Sequence, residues 1–233
     1  MLFDCWGTLV QAPNLMRRGA STEFFHRFLT EDGHDIDYDA FKDAYIAQAR
    51  MQREETLADH REFDYPQRIE STLRAIGFEH PQRRQLAQAA WSNYLSEWPR
   101  QSTPYDETPA LLSSIKGRYR LGLVTNFPDG YTARKAFEKL GFDAMFDSLV
   151  ISDEVGYRKP SPIIFERALM ELGSAPDSTV MVGDTYEADI VGAKNMGMKA
   201  IFVDADGSQA EEHDLADAVV RSIGEIAEIL ARF

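Results

Sequence analysis

In four places this chain carries an apolar run to its end on, or just ahead of, residues that can do chemistry. Met1–Phe3 runs into Asp4, with Gly7 and Thr8 close behind, and Leu121–Val124 runs into Thr125 and Asn126. Leu149–Ile151 ends at Ser152 and Asp153, ahead of Lys159 and Pro160. Val180–Val182 runs into Gly183 and Asp184, with Asp189 a little further on. Open α/β sheets place their ligands in the crevice outside the carboxyl ends of the strands, which is where such residues would stand. Each also has an ordinary reading: Asp4 with Gly7 and Thr8 as a turn, Thr125–Asn126 as a helix cap, Lys159–Pro160 as a solvated loop, Gly183–Asp184 as a turn before a capped helix. Taken together, in this order and each at a strand end, they describe one crevice. Its two or three carboxylates repel one another unless a cation joins them. Its lysine and hydroxyl are donors suited to an anion.

The elements that must bring these residues together follow from the spacing of apolar positions. After the first strand the chain turns helical for a long stretch. Phe24, Phe25, Phe28 and Leu29 form one apolar face behind Ser21, which reads as the cap. Tyr38, Phe41, Ala44 and Tyr45 form a second. Ile69, Leu73 and Ile76, closed by Gly77, form a third. Ala87, Trp91, Tyr94, Leu95 and Trp98 form a fourth, stopped by Pro99. Four antiparallel helices are the simplest arrangement, and their aromatic stripes read first as core. The turn-formers between Pro104 and Pro109 mark the return.

From there helices and strands alternate: helices near Thr108–Lys116, Tyr131–Leu140, Pro162–Leu172 and Glu187–Met196, and strands at Leu121–Asn126, Leu149–Ser152, Val180–Gly183 and Ala200–Val203. A weak strand at Ala218–Val220 and a last helix through Ile223, Ile226, Ile229 and Leu230 follow. Alternation implies a parallel sheet covered on both faces. The expected fold is α/β, a doubly wound parallel sheet in a Rossmann-like core of residues 1–13 and 104–233, with an inserted α-helical bundle of residues 14–103. Only three residues precede Asp4, so the first strand is truncated or the native chain starts upstream.

Composition narrows the classes of partner. The 233 residues carry a net charge of −13, which argues against nucleic acid or an anionic membrane. Cys5 is the single cysteine, so no intrachain disulfide forms, and a reducing, cytoplasmic setting fits. Beside Asp4, Cys5 reads as a small buried filler. No signal peptide and no apolar run long enough to span a membrane is expected. His26, His34, His60, His80 and His213 are scattered without ligand spacing. Glu211, Glu212 and Asp214 read as a solvated charge run. Oligomeric state is not written in the sequence.

These motifs resemble the haloacid dehalogenase superfamily, most of whose members are phosphohydrolases acting through an aspartyl intermediate. The resemblance runs from Met1 to about Asp204, with the helical insert in the place of that family's cap domain. Asp4-Cys5-Trp6-Gly7-Thr8 corresponds to its first motif, Thr125 to its second, Gly156-Tyr157-Arg158-Lys159-Pro160 to its third, and Gly183, Asp184 and Asp189 to its fourth. The resemblance implies roles that make physical sense. Phosphoryl transfer needs a nucleophile and charge neutralisation around the equatorial oxygens. Asp4 would be the nucleophile. Thr125, Asn126, Lys159 and main-chain N–H groups around Gly7 would bind phosphoryl oxygens. Mg²⁺ would take the carboxylates of Asp4 and Asp184 and the main-chain carbonyl of Trp6, with Asp189 orienting ligands from behind. The substrate class implied is a small phosphorylated metabolite.

One position departs from the family pattern. The second acid of the first motif, its general acid and base, is Trp6 here. Members that release halide from 2-haloacids carry a Tyr at this position and use no metal, so the aromatic points toward a dehalogenase. Those members lack the Gly-Asp of the fourth motif, which this chain keeps. A halide site would also need a cradle from the cap, for which Arg17 and Arg18 are the candidates. The Mg²⁺-dependent phosphatase is therefore the expected function. A 2-haloacid dehalogenase and a low-turnover phosphate- or metal-binding relative are the alternatives.

Overall fold

The computed structural model describes residues 1–207 and 214–230, so Glu211, Glu212 and His213 lie outside the described residues. The chain divides into two compact units, Met1–Gln11 with Ser102–Phe233, and Ala12–Gln101.

The first unit is built on strands β1 (Leu2–Phe3) and β2 (Val10–Gln11) before the division. The second unit holds helices α1 (Pro13–Met16), α2 (Ala20–Glu31), α3 (Tyr38–Thr56), α4 (Tyr65–Ala75) and α5 (Arg83–Gln101). The first unit then resumes with β3 (Thr103–Pro104), α6 (Thr108–Ile115), β4 (Gly122–Thr125), α7 (Gly130–Leu140), β5 (Ser148–Ile151), α8 (Ser152–Val155) and α9 (Pro162–Leu172). It ends with β6 (Val180–Gly183), a π-helix over Tyr186–Val191, α10 (Gly192–Asn195), β7 (Lys199–Val203), β8 (Ala218–Val220) and α11 (Ile226–Ile229).

Among the described residues six strands form one parallel sheet in the order β5-β4-β1-β6-β7-β8, the doubly wound α/β arrangement expected of this alternation. β1 lies between β4 and β6, with Leu2 beside Gly122 and Met181 and Phe3 beside Leu123 and Val182. Such strands are buried on both faces, which is why they read as apolar runs rather than alternations. Leu2, Phe3, Leu123, Val124, Met181 and Val182 are all fully buried. The outer edge, β5, is shielded by side chains. Arg134 and Arg167, in ion pairs with Glu154 and Glu171, line the groove along it.

In the second unit α2, α3, α4 and α5 pack as a four-helix bundle, with α2 against both α3 and α5. The aromatic stripes are core: Phe25 packs on Tyr45, Trp91 and Tyr94, and Tyr65 stacks on Trp91. Arg68 is buried among Tyr45, Phe63 and Tyr65 and donates to Gln52.

Four local expectations are corrected. Ser21 lies inside α2, whose cap is Gly19 at φ +83°. Pro99 does not stop α5, which runs on to Gln101; a proline near the carboxyl end forfeits one intrahelical bond and little else. The stretch beginning at Pro104 contributes to an antiparallel ribbon, in which Val10 pairs with Pro104 and Gln11 with Thr103. The helix expected over Glu187–Met196 begins as a π-helix and tightens to α only at Gly192.

Candidate active site

Asp4 leaves the end of β1 with its N–H donated to Val182 O (2.8 Å), so the neighbouring strand aims it. Its carboxylate accepts from Lys159 Nζ at 2.5 Å. The same ammonium lies 2.7 Å from Asp189 Oδ1 and donates to Val124 O at 2.7 Å. Lys159, 3% exposed, is thus wedged between two carboxylates and a strand-end carbonyl. Asp189 is fully buried and accepts from Thr185 N through Oδ2 (3.0 Å). Asp184, half-buried, accepts from Thr8 Oγ1 at 2.8 Å. Carboxylate oxygens of Asp4, Asp184 and Asp189 lie within 4.8 Å of one another.

The electrostatics follow from burial and from the count of charges. Burial, with Asp184 nearby and against the pull of Lys159, pushes Asp4 up to about 6. Burial and the adjacent Asp189 carry Asp184 to about 6. Burial outweighs the favourable Lys159 and brings Asp189 to about 6. Burial would lower Lys159, but Asp189 and Asp4 outweigh it and hold the ammonium above the ordinary lysine range. One ammonium faces three carboxylates, so the fully ionised set has an excess of two negative charges. A divalent cation with a preference for hard oxygen fits that donor set.

Gly7 serves by taking no space. Its φ is +99°, and a Cβ there would lie on the Asp184 carboxylate. Its N–H donates to Val10 O (2.9 Å) within the turn and is not open to an incoming oxygen. Asn126, expected at the anion, has its side chain on the Lys159 main chain: Nδ2 donates to Lys159 O (3.0 Å), and Oδ1 accepts from Lys159 N (2.7 Å). Thr125 ends β4, 2% exposed. The Trp6 indole stacks on Phe127 at 4.4 Å and on Phe137 at 5.7 Å, and Nε1 donates to Ser102 Oγ at 2.9 Å. Position 6 therefore contributes a packed wall. Cys5 is fully buried and its thiol pushed well up by burial and by Asp4, so it is a filler.

Arg17 is engaged by both oxygens of Glu23 within the second unit. Thr8, which the sequence places in the turn after Asp4 without a role of its own, has one here. Its hydroxyl holds Asp184, and its place directly after the turn glycine was the available signal.

The profile of the haloacid dehalogenase-like hydrolases matches residues 1–197. The glyceraldehyde 3-phosphate phosphatase of Methanothermobacter thermautotrophicus is 40% identical over 136 residues, which cover 54% of this chain and 58% of that protein. The chain thus spans little more than half the length of that relative. The ribulose-1,5-bisphosphate 5-phosphatase of Halopiger xanaduensis is 29% identical over 229 residues, 97% of this chain and 91% of that one. A crystal structure of a 2-haloacid dehalogenase from Pseudomonas syringae pv. Tomato DC3000 superposes with a TM-score of 0.75 at 23% identity, over 99% of this chain and 97% of that one, a likeness of fold. With the family profile covering most of its length over the same strand-end motifs, the chain belongs to the haloacid dehalogenase-like hydrolases.

Proposed function

We propose that this hydrolase is a Mg²⁺-dependent phosphatase that acts on a small phosphorylated metabolite through an aspartyl-phosphate on Asp4. The observation that carries the reading is the placement of Asp4. It stands at the end of the central strand, held by Lys159 at 2.5 Å and grouped with two more buried or half-buried acids. Both sequence relatives described above are named as phosphatases of phosphorylated sugars, which supports the phosphate ester as substrate class. The helical unit is, on this reading, the cap that selects among such esters.

Lys159 fixes the rotation of the Asp4 carboxylate and favours its ionised, nucleophilic form. An Asp4 oxygen attacks phosphorus, the bond to the leaving oxygen breaks, and its electron pair departs with the leaving group. Water then attacks phosphorus, releasing inorganic phosphate and restoring the carboxylate. Thr125 at the end of β4 offers a hydroxyl to the phosphoryl oxygens. Lys159, its Nζ already surrounded by Asp4, Asp189 and Val124 O, contributes to that group mainly as charge. When bound by Asp4, Asp184 and the Trp6 carbonyl, Mg²⁺ supplies charge neutralisation for the transferring group.

The aromatic at position 6 favours a second reading, a 2-haloacid dehalogenase. The three clustered acids and the engagement of Arg17 by Glu23 favour the phosphatase. The test is a screen of phosphate esters and 2-chloropropionate, each with Mg²⁺ and with chelator. Phosphate release that chelator abolishes, and that Asp4→Asn lowers on the order of 10³-fold or more in a folded protein, is expected. Chelator-insensitive release of chloride establishes the dehalogenase, and a fully active Asp4→Asn protein refutes both.

A further inference from the structure

The geometry points to Asn126 as a positioning residue that fixes Lys159, an inference that rests on the proposed phosphatase site and adds a part to it. The Asn126 side chain meets the Lys159 main chain at two points, accepting from its N–H (2.7 Å) and donating to its carbonyl (3.0 Å). Only one orientation of the amide makes both contacts hydrogen bonds. The flipped amide would set donor against donor and acceptor against acceptor. The pair is a strand-like rung made by a side chain, between segments 33 residues apart, at a place where no strand runs.

What makes the clamp functional is where the other end of Lys159 goes. Its Nζ donates to Val124 O, on the same strand end two residues before Asn126. Main chain and ammonium are thus both tied to the end of β4, on either side of Thr125. A lysine stem is flexible, with many rotamers open to it. Anchoring both ends leaves Nζ one place to be, between Asp4 and Asp189. Two further ties join the segment after β4 to the start of α8: Phe127 N donates to Ser152 Oγ (2.9 Å), and Gly130 N to Asp153 Oδ2 (2.8 Å). Neither touches Lys159 or Asn126, so both remain available in an Asn126 variant, and that variant is expected to fold. Asn126 is therefore the link that sets the ammonium's position against Asp4. A misplacement of about 1 Å in a catalytic group costs up to about 10²-fold.

A double-mutant cycle on the full chain tests this, using Asn126→Ala, Lys159→Met and the pair, with 4-nitrophenyl phosphate and Mg²⁺. Asn126→Ala should lower kcat about 10- to 100-fold with KM changed by less than about 3-fold. In the Lys159→Met background it should cost less than about 2-fold. The same loss in both backgrounds would show that Asn126 acts on substrate or fold directly and would overturn the proposal. A second measurement needs no turnover: the ¹H–¹⁵N correlation of the lysine ammonium groups. The Lys159 signal, sharp in the parent, should shift or broaden in Asn126→Ala while the other lysines keep theirs. An unchanged Lys159 signal in folded Asn126→Ala overturns the clamp. Loss of that signal in a chain that hydrolyses no phosphate ester upholds the clamp and refutes the phosphatase reading.

Discussion

At the scale of single residues the site is organised by what each side chain excludes as much as by what it supplies. Gly7 shows this: any side chain there would collide with Asp184 while strained at φ +99°. Gly7→Ala should cost about 1–3 kcal/mol from backbone strain alone and also displace Asp184. Calorimetry with and without Mg²⁺ checks this; an unchanged Tm with full Mg²⁺ response would contradict it. Trp6 carries a second prediction. General acid catalysis typically contributes about 10²–10⁴-fold, and the indole, stacked on Phe127 and bonded to Ser102, has no acid to offer. Aryl and acyl phosphates, whose leaving groups need no proton, should be turned over faster than alkyl phosphates. The aspartyl-phosphate should persist, giving a burst of about one leaving group per enzyme. Rates independent of leaving-group pKa, without a burst, would show that another group moves the proton. Asp4, Lys159, Asp184 and Asp189 were legible from residue type and order. Asn126 was legible as a strand-end polar residue, but its tie to Lys159 was not, because the partner is a main chain 33 residues away and a side-chain-to-backbone contact leaves no periodic trace.

At the scale of elements, apolar runs ending in polar residues were legible because a strand buried on both faces has no other way to read. The two-residue ribbon of β2 and β3 was not, since Val10–Gln11 and Thr103–Pro104 are too short to show a period. Nor was the π-helix at Tyr186–Val191, whose apolar spacing resembles that of an ordinary helix. The loop from β4 to α7 carries Asn126, whose side chain holds the Lys159 main chain. It is held at Asp129, which caps α7 by accepting from Thr132 N at 2.7 Å. Asp129→Ala should cost about 1 kcal/mol, a Tm shift of roughly 2–4 °C in a chain of this size. Asp129→Asn, which keeps the acceptor, should recover most of it. An equal loss in both variants would assign the effect to charge rather than to the cap.

At the scale of the whole molecule, the three acids tie stability to pH and to metal in a definite direction. Asp4, Asp184 and Asp189 each rise from an ordinary 3.8 to about 6 on folding, chiefly by burial. Between about pH 4 and pH 6 the folded chain therefore holds more protons than the unfolded one. The contribution of these groups is most favourable at the acid end and is lost as pH rises through 6. Above pH 6 the ionised cluster has its excess of two negative charges, and a cation that binds only that form stabilises by mass action. Mg²⁺ should accordingly raise the Tm of the first unit by several degrees at pH 7.5 and by much less at pH 5. Asp184→Asn can still accept from Thr8, since its Oδ1 remains an acceptor. It should raise the metal-free Tm at pH 7.5, by removing one buried charge, and abolish most of the Mg²⁺ response. Scanning calorimetry of the parent and Asp184→Asn at both pH values, with Mg²⁺ and with chelator, separates these effects. Equal Mg²⁺ shifts at the two pH values, or a response undiminished in Asp184→Asn, would place the cation somewhere other than at this cluster.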